Sequence, residues 1–427
     1  MSKEKFTLLL VSMFLVFTQG MWERLFFLTP IVGYVVDFSI VLFIFWNFRI
    51  NISVPGLSLI VCYLGFEFLV GLLNSNSVID TILYIRYFVY FYLIFAQLYC
   101  YSLGIRNWLK LLKFSIFLIL LQGIGAVYNL LILGERVEGY VGLMASLGGT
   151  TATIFPLFIS SIVLLIYLNS RFYSKKIYLI YLLIMASVFL VGYSSGKRTI
   201  YFIIPIFILI TFMFSIDRNI SKTFFQKKFI TMTILGVLFF PVLIFGITNS
   251  RGLNNDLSGN ENSLGVISNA INYVKEYESA TDQYGNTIGR SNTTKQIIVK
   301  SSNLNFFLTG VGFGSIKNEQ TKESLGIGYG VVGLTRDIIS AGWISALLVI
   351  LIFTVVIFRN NSYFKSSFNS ILRRLLFMIF IYTYFFYSSD FSVSLKITFF
   401  LAIILALINS PRHRFISLYI QKKLSIL

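Results

Sequence analysis

The chain has 427 residues, of which 56% are hydrophobic, 17% aromatic and only 12% charged, against about 25% charged in an ordinary soluble domain. That composition excludes a soluble globular class, and continuous rather than alternating apolar runs exclude a membrane barrel. The net charge of +18 is spread between apolar runs, so it reads as a topological signal facing anionic lipid and gives little support to a nucleic-acid partner.

Apolar runs near 20 residues cross about 30 Å of hydrocarbon, and their backbone groups must be satisfied internally, which means helices. The predicted fold class is all-α, a polytopic transmembrane helix bundle. Twelve spans are expected, at 6–21, 25–46, 56–72, 81–101, 112–132, 149–168, 177–193, 200–216, 229–248, 338–358, 375–388 and 394–409. Residues 1–248 then carry spans one to nine, 249–337 a long loop with short helices, and 338–427 the last three spans and a basic tail. With the N-terminus inside, 21 of the 35 Lys and Arg residues fall on inside segments, beside only Glu4 and Asp217. This asymmetry predicts both termini cytoplasmic and the long loop outside.

At the N-terminus, Lys3 and Lys5 precede the apolar run Phe6–Phe17 in the manner of a signal peptide. Thr18-Gln19-Gly20-Met21-Trp22 offers no small-residue cleavage site, so a retained first helix is expected. Cys62 and Cys100 both lie in apolar runs, which points to neither a disulfide framework nor a metal site. Asp37, Glu67 and Arg86 are charges within spans, joined near the C-terminus by Lys396. Such charges usually face a cavity or one another. Glu67, Arg86 and Lys396 each lie within about 8 Å of the outer end of their span, a depth at which they can converge. Snorkelling to the outer headgroups is the competing reading for Arg86 and Lys396.

Ser194-Ser195-Gly196-Lys197-Arg198-Thr199 forms a hairpin tip between two apolar runs, on the side expected to be poor in bases. The guanidinium fork matches phosphate oxygens, and Gly196 permits close backbone approach; a solvated polar turn is the plainer alternative. The stretch from Asn249 to Arg336 is too long for a mere connection. Within it, Leu264–Tyr277 has a weak amphipathic pattern, and Gly289-Arg290 precedes a helical segment, Asn292–Lys300. Leu308-Thr309-Gly310-Val311-Gly312-Phe313-Gly314 follows, with no strand before it and no Lys-Ser or Lys-Thr after it, so it is not a nucleotide loop. Arg336-Asp337 opens the tenth span as either a catalytic pair or a helix cap. His413, the lone histidine, falls on the cytoplasmic side and is unavailable to chemistry outside. No His cluster, Cys pair or Asp-x-Asp occurs, so no metal or other cofactor is expected.

The late outer loop, the hairpin Arg198, Gly289-Arg290 and the Leu-x-Gly-x-Gly-x-Gly run together resemble the Wzy-type O-antigen and capsule polymerases. These are relatives of the O-antigen ligases and class C-like membrane glycosyltransferases. Arg136-Val137-Glu138-Gly139-Tyr140 before the sixth span, and Gly342-Trp343-Ile344 after the loop, fit the same pattern. The resemblance implies a bacterial plasma-membrane enzyme of lipopolysaccharide or capsule synthesis. It would move a growing glycan from undecaprenyl pyrophosphate onto the next lipid-linked repeat unit. Arg198 and Arg290 would bind pyrophosphate and serve catalysis, with Lys197, Arg86, Arg136 and Arg336 as further pyrophosphate ligands. Asp337 is the preferred base over Glu138 and Asp282. Besides membrane lipid, the partners allowed are a chain-length regulator and a flippase. The ligases place a His after the long loop where this chain has Val331-Val332-Gly333-Leu334, which favours polymerase over ligase. The alternatives are an O-antigen ligase or other lipid-linked glycosyltransferase, and a lipid-linked oligosaccharide flippase or other transporter, though no internal helix repeat is visible.

Overall fold

The computed structural model of the chain describes residues 1–26, 29–46, 48–101, 103–132, 141–144, 149–169, 175–195, 278–282, 284–313, 319–328, 331–358, 367–387 and 395–409, with isolated positions between 203 and 276. Seven helices come first: α1 Lys3–Phe26, α2 Thr29–Phe45, α3 Leu57–Leu73, α4 Val78–Tyr101, α5 Ile105–Ile132, α6 Gly149–Asn169 and α7 Lys175–Ser194. Among the described residues of the long loop are three short helices: α8 Arg290–Lys300, α9 Leu304–Thr309 and α10 Glu319–Leu325. The last are α11 Gly333–Phe358, α12 Ser367–Ile381 running into a π-helical turn Tyr382–Phe386, and α13 Leu395–Asn409. The described residues are helical, with isolated bridges only at Thr281, Thr287 and Ile327. Among the described residues, four helices are long and apolar enough to cross a membrane: α1, α4, the 106–132 part of α5, and α11. α2, α3 and α13, and the apolar parts of α6 and α7, are shorter.

Local signals start several helices. Ser77 caps α4: the Asp80 amide donates to Ser77 Oγ at 3.0 Å, and Ser77 Oγ donates to Asp80 Oδ2 at 2.6 Å, which is the first half of a capping box with the acid on the cap's hydroxyl rather than on its amide. Asn303 accepts from the Asn305 amide at the start of α9. α11 differs from the expected tenth span. It begins at Gly333, and Gly342 interrupts it with φ 82° and ψ −179°, a backbone region that is essentially glycine's alone. The eleventh span likewise changes pitch, with its last turn a π-helix. The expected spans 200–216 and 229–248 and the amphipathic segment Leu264–Tyr277 fall outside the described residues, apart from isolated positions in the first and the last.

The helices pack as α5 against α7, α4 against α13, α1 against α2 and α3 against α11. One buried apolar core runs through the bundle from Leu9 and Phe17 to Phe353 and Phe400. Polar locks close one end. Lys5 Nζ donates to the Gln97 side chain at 2.8 Å and to the Trp46 carbonyl, joining the start of α1 to the ends of α2 and α4. Arg373 donates to the Ile357 and Ile408 carbonyls, satisfying acceptors left at the C-termini of α11 and α13. At its other end α4 meets the start of α11 through Tyr84 and Asp337. α8 to α10 therefore sit at the end of the bundle opposite Lys5.

Candidate functional site

Asp337 lies one helical turn into α11 and is 2% exposed. Its Oδ1 accepts from the Tyr84 hydroxyl at 2.9 Å and from Arg336 Nη2 at 2.9 Å. Its Oδ2 accepts from the Tyr384 hydroxyl at 2.9 Å. A cap is ruled out, because α11 starts four residues earlier and Thr335 Oγ1 takes the Val332 amide there. Instead, α4, α11 and the π-turn after α12 converge on one carboxylate. Three donors, one of them charged, satisfy the desolvated anion, as burial requires.

Glu67 approaches the same place from α3. It is fully buried; Ser345 of α11 donates to one carboxyl oxygen, and the other has no hydrogen-bond partner among the described residues. Glu67 and Asp337 interact electrostatically, so two carboxyl groups flank Tyr84.

Arg290 opens α8. Gly289 is dictated by space, since a Cβ there would run into the Glu278 backbone. Glu278 also occupies the helix start, its Oε2 accepting from the Ser291 amide at 2.9 Å. The Arg290 guanidinium stacks 4.5 Å from the centre of the Tyr387 ring, a contact worth about 0.5–2 kcal/mol. Among the described residues no hydrogen bond or ion pair engages that guanidinium, and its Nε is buried without a partner. Tyr387 is fixed in turn by Thr153 of α6, hydroxyl to hydroxyl at 2.7 Å, and by the Gly333 amide on its carbonyl. Gly333 is one turn from Asp337, and Tyr387 is three residues from Tyr384. A guanidinium with no hydrogen-bond or ion-pair partner among the described residues and a buried carboxylate thus share one end of the bundle, joined through two short stretches of backbone.

The other expected residues divide. Arg336 is committed to Asp337, and Arg86 to Asp37 at 3.1 Å. Arg86 also donates to the Tyr87 hydroxyl at 2.7 Å and stacks on that ring. Lys396 lies in electrostatic reach of Glu23 and Asp37, so Arg86 and Lys396 gather with acids of α1 and α2. The expected convergence of Glu67, Arg86 and Lys396 is corrected: Glu67 belongs with Asp337, and the two cations form a separate cluster. The plainer reading of those cations, snorkelling, gives way to ion pairing for Arg86. Asp282 organises a turn. Desolvation pushes its carboxyl up, but bonds from the Asn286 amide and side chain and the Tyr284 amide together hold it below the ordinary carboxylate range. Lys197, Arg198, Arg136 and Glu138 lie outside the described residues.

Tyr84, Tyr384, Tyr387 and Ser345 were not predicted. With 25 tyrosines in the chain, a tyrosine in an apolar span reads as packing. The charges beside them were the only sequence signal. Among the described residues no three His, Cys, Asp or Glu side chains gather as a metal site. Comparison with family models, curated proteins and solved structures returns no match.

Proposed function

We propose that the protein is a membrane polysaccharide polymerase. It transfers a growing glycan from undecaprenyl pyrophosphate onto the next lipid-linked repeat unit at the outer face of a bacterial plasma membrane. The observation that carries this reading is Arg290: a guanidinium held on Tyr387 with no anionic partner among the described residues, beside a buried carboxylate. At this end of the bundle Arg86 and Arg336 already hold carboxylates, whereas Arg290 has an aromatic face and no carboxylate among the described residues. Arg198 and Lys197 of the hairpin are its expected companions.

In this reading the bond between the anomeric carbon and the pyrophosphate oxygen breaks, and its electron pair leaves with the pyrophosphate. Arg290 neutralises the charge that develops there, where fixed donors contribute most. The acceptor sugar hydroxyl forms the new bond to the anomeric carbon and gives its proton to Asp337. It reaches that carboxylate by replacing one of the three donors now on it. Tyr84 and Tyr384 keep the carboxyl plane oriented.

Titration with undecaprenyl pyrophosphate in detergent tests the arginine directly. Arg290→Ala is expected to weaken binding about ten- to a hundredfold, the equivalent of losing a charged hydrogen bond of about 1.5–3 kcal/mol. Equal affinity of variant and parent would remove Arg290 from the site.

A further inference from the structure

The Gly-rich run after α9 has no chemistry of its own, yet it is bound into the bundle at several points. Asn74 Nδ2 donates to the Thr309 carbonyl at 2.9 Å. Asn76 holds Phe313 from both sides: its Oδ1 accepts the Phe313 amide at 3.1 Å, and its Nδ2 donates to the Phe313 carbonyl at 3.3 Å. The Val311 amide donates to the Ile339 carbonyl at 2.7 Å, an acceptor three residues before the Gly342 kink. The fit needs glycine: a Cβ on Gly310 would stand 2.5 Å from the Ile339 oxygen, and one on Gly312 would stand 2.9 Å from Asn76 Oδ1.

The product of this docking is one side chain. Phe313, 6% exposed, stacks on Tyr84 with ring centres 4.6 Å apart. It packs with Val70 and Ala341 in a small apolar cluster separate from the main core. That cluster joins the outer loop to the ring whose hydroxyl donates to Asp337.

We infer that Phe313, seated by Asn76, is a positioning residue for Asp337: the docked loop presses Tyr84 against the carboxylate. The activity side of this inference rests on the polymerase reading above; the docking side does not.

Two measurements on the full chain in lipid nanodiscs test it. The first is hydrogen exchange of the Val311 and Phe313 amides, both bonded in the docked loop. Asn76→Ala is expected to speed both about tenfold or more, while amides of α4 keep their protection. Unchanged exchange at Val311 and Phe313 would overturn the latch. The second is steady-state extension of an undecaprenyl-pyrophosphate-linked repeat unit by Phe313→Leu and Asn76→Ala. kcat is expected to fall about ten- to a hundredfold, as small misplacements of a reacting group do, with KM within about twofold. A rise in KM at constant kcat, or no change in either, would overturn the positioning role. A parent protein inactive on this substrate contradicts the polymerase reading alone, and the exchange result then upholds or overturns the latch by itself.

Discussion

At the scale of single residues, the site separates cations by what already faces them. Arg86 and Arg336 have carboxylate partners at 3.1 and 2.9 Å; Arg290 has an aromatic face. A planar guanidinium stacked on Tyr387 keeps its in-plane donors for a ligand, which an ammonium cannot reproduce. Arg290→Lys is therefore expected to recover only a minor part of the extension lost in Arg290→Ala, measured as product formed per unit time. For Asp337, the conservative change to Asn preserves size and removes the proton acceptor. Asp337→Asn is expected to lower kcat by about a hundredfold or more, with undecaprenyl pyrophosphate affinity unchanged. Loss of that affinity instead would make Asp337 a structural anchor for Arg336. Asp337 and Arg290 were legible in the sequence as candidates, Asp337 from the Arg-Asp pair that opens a span and Arg290 from the Gly-Arg pair before a short helix. The partners of Glu67 and Arg86 were not. Position along a helix gives depth, but the direction a side chain faces depends on which helices pack around it. The two residues share a depth and face different neighbours.

At the scale of elements, α11 is the part most changed from its sequence reading. An unbroken apolar run predicts a straight span from 338. The structure instead has nine helical residues from Gly333, a break at Gly342 and a second helix to Phe358. The break is set by α9 lying across it: a Cβ on Gly342 would meet the Leu308 and Phe307 backbone at 2.6 Å. Trp343 then anchors the junction, its indole donating to Ser301 Oγ at 2.9 Å. Hydropathy is blind to such a contact, because it involves backbone from a segment more than thirty residues away. Gly342→Ala combines a strained φ with a steric overlap. It is expected to destabilise the protein by at least about 1–3 kcal/mol, read as a lower thermal midpoint in detergent, and to detach α9. An unchanged midpoint would mean that the kink is not held by this packing. The helix at Arg290–Lys300 is different: its sequence carries its own start, and the expected segment 292–300 lies within it.

For the whole molecule, the described helices form a bundle with polar locks at both ends and the loop helices gathered at one. Lys5 and Arg373 tie helix ends together at their positions, and Arg24 does the same for α1 and α5 through Asn129 at 2.6 Å and the Gly142 carbonyl at 3.1 Å. The excess of Lys and Arg on alternate connections predicts that the Lys5 end faces the cytoplasm and the loop end faces outward. On that proposed orientation Arg290, Asp337 and the tyrosines would stand at the level of the outer leaflet, where the proposed lipid-linked pyrophosphate would meet them.

Polymerisation itself is tested most directly with purified protein in liposomes, supplied with its undecaprenyl-pyrophosphate-linked repeat unit, and with products resolved on a gel. The expected result is a ladder spaced by one repeat, formed by the parent protein and lost in Arg290→Ala at equal protein in the membrane. Unextended substrate from folded parent protein and verified repeat unit, or a full ladder from Arg290→Ala, would contradict it.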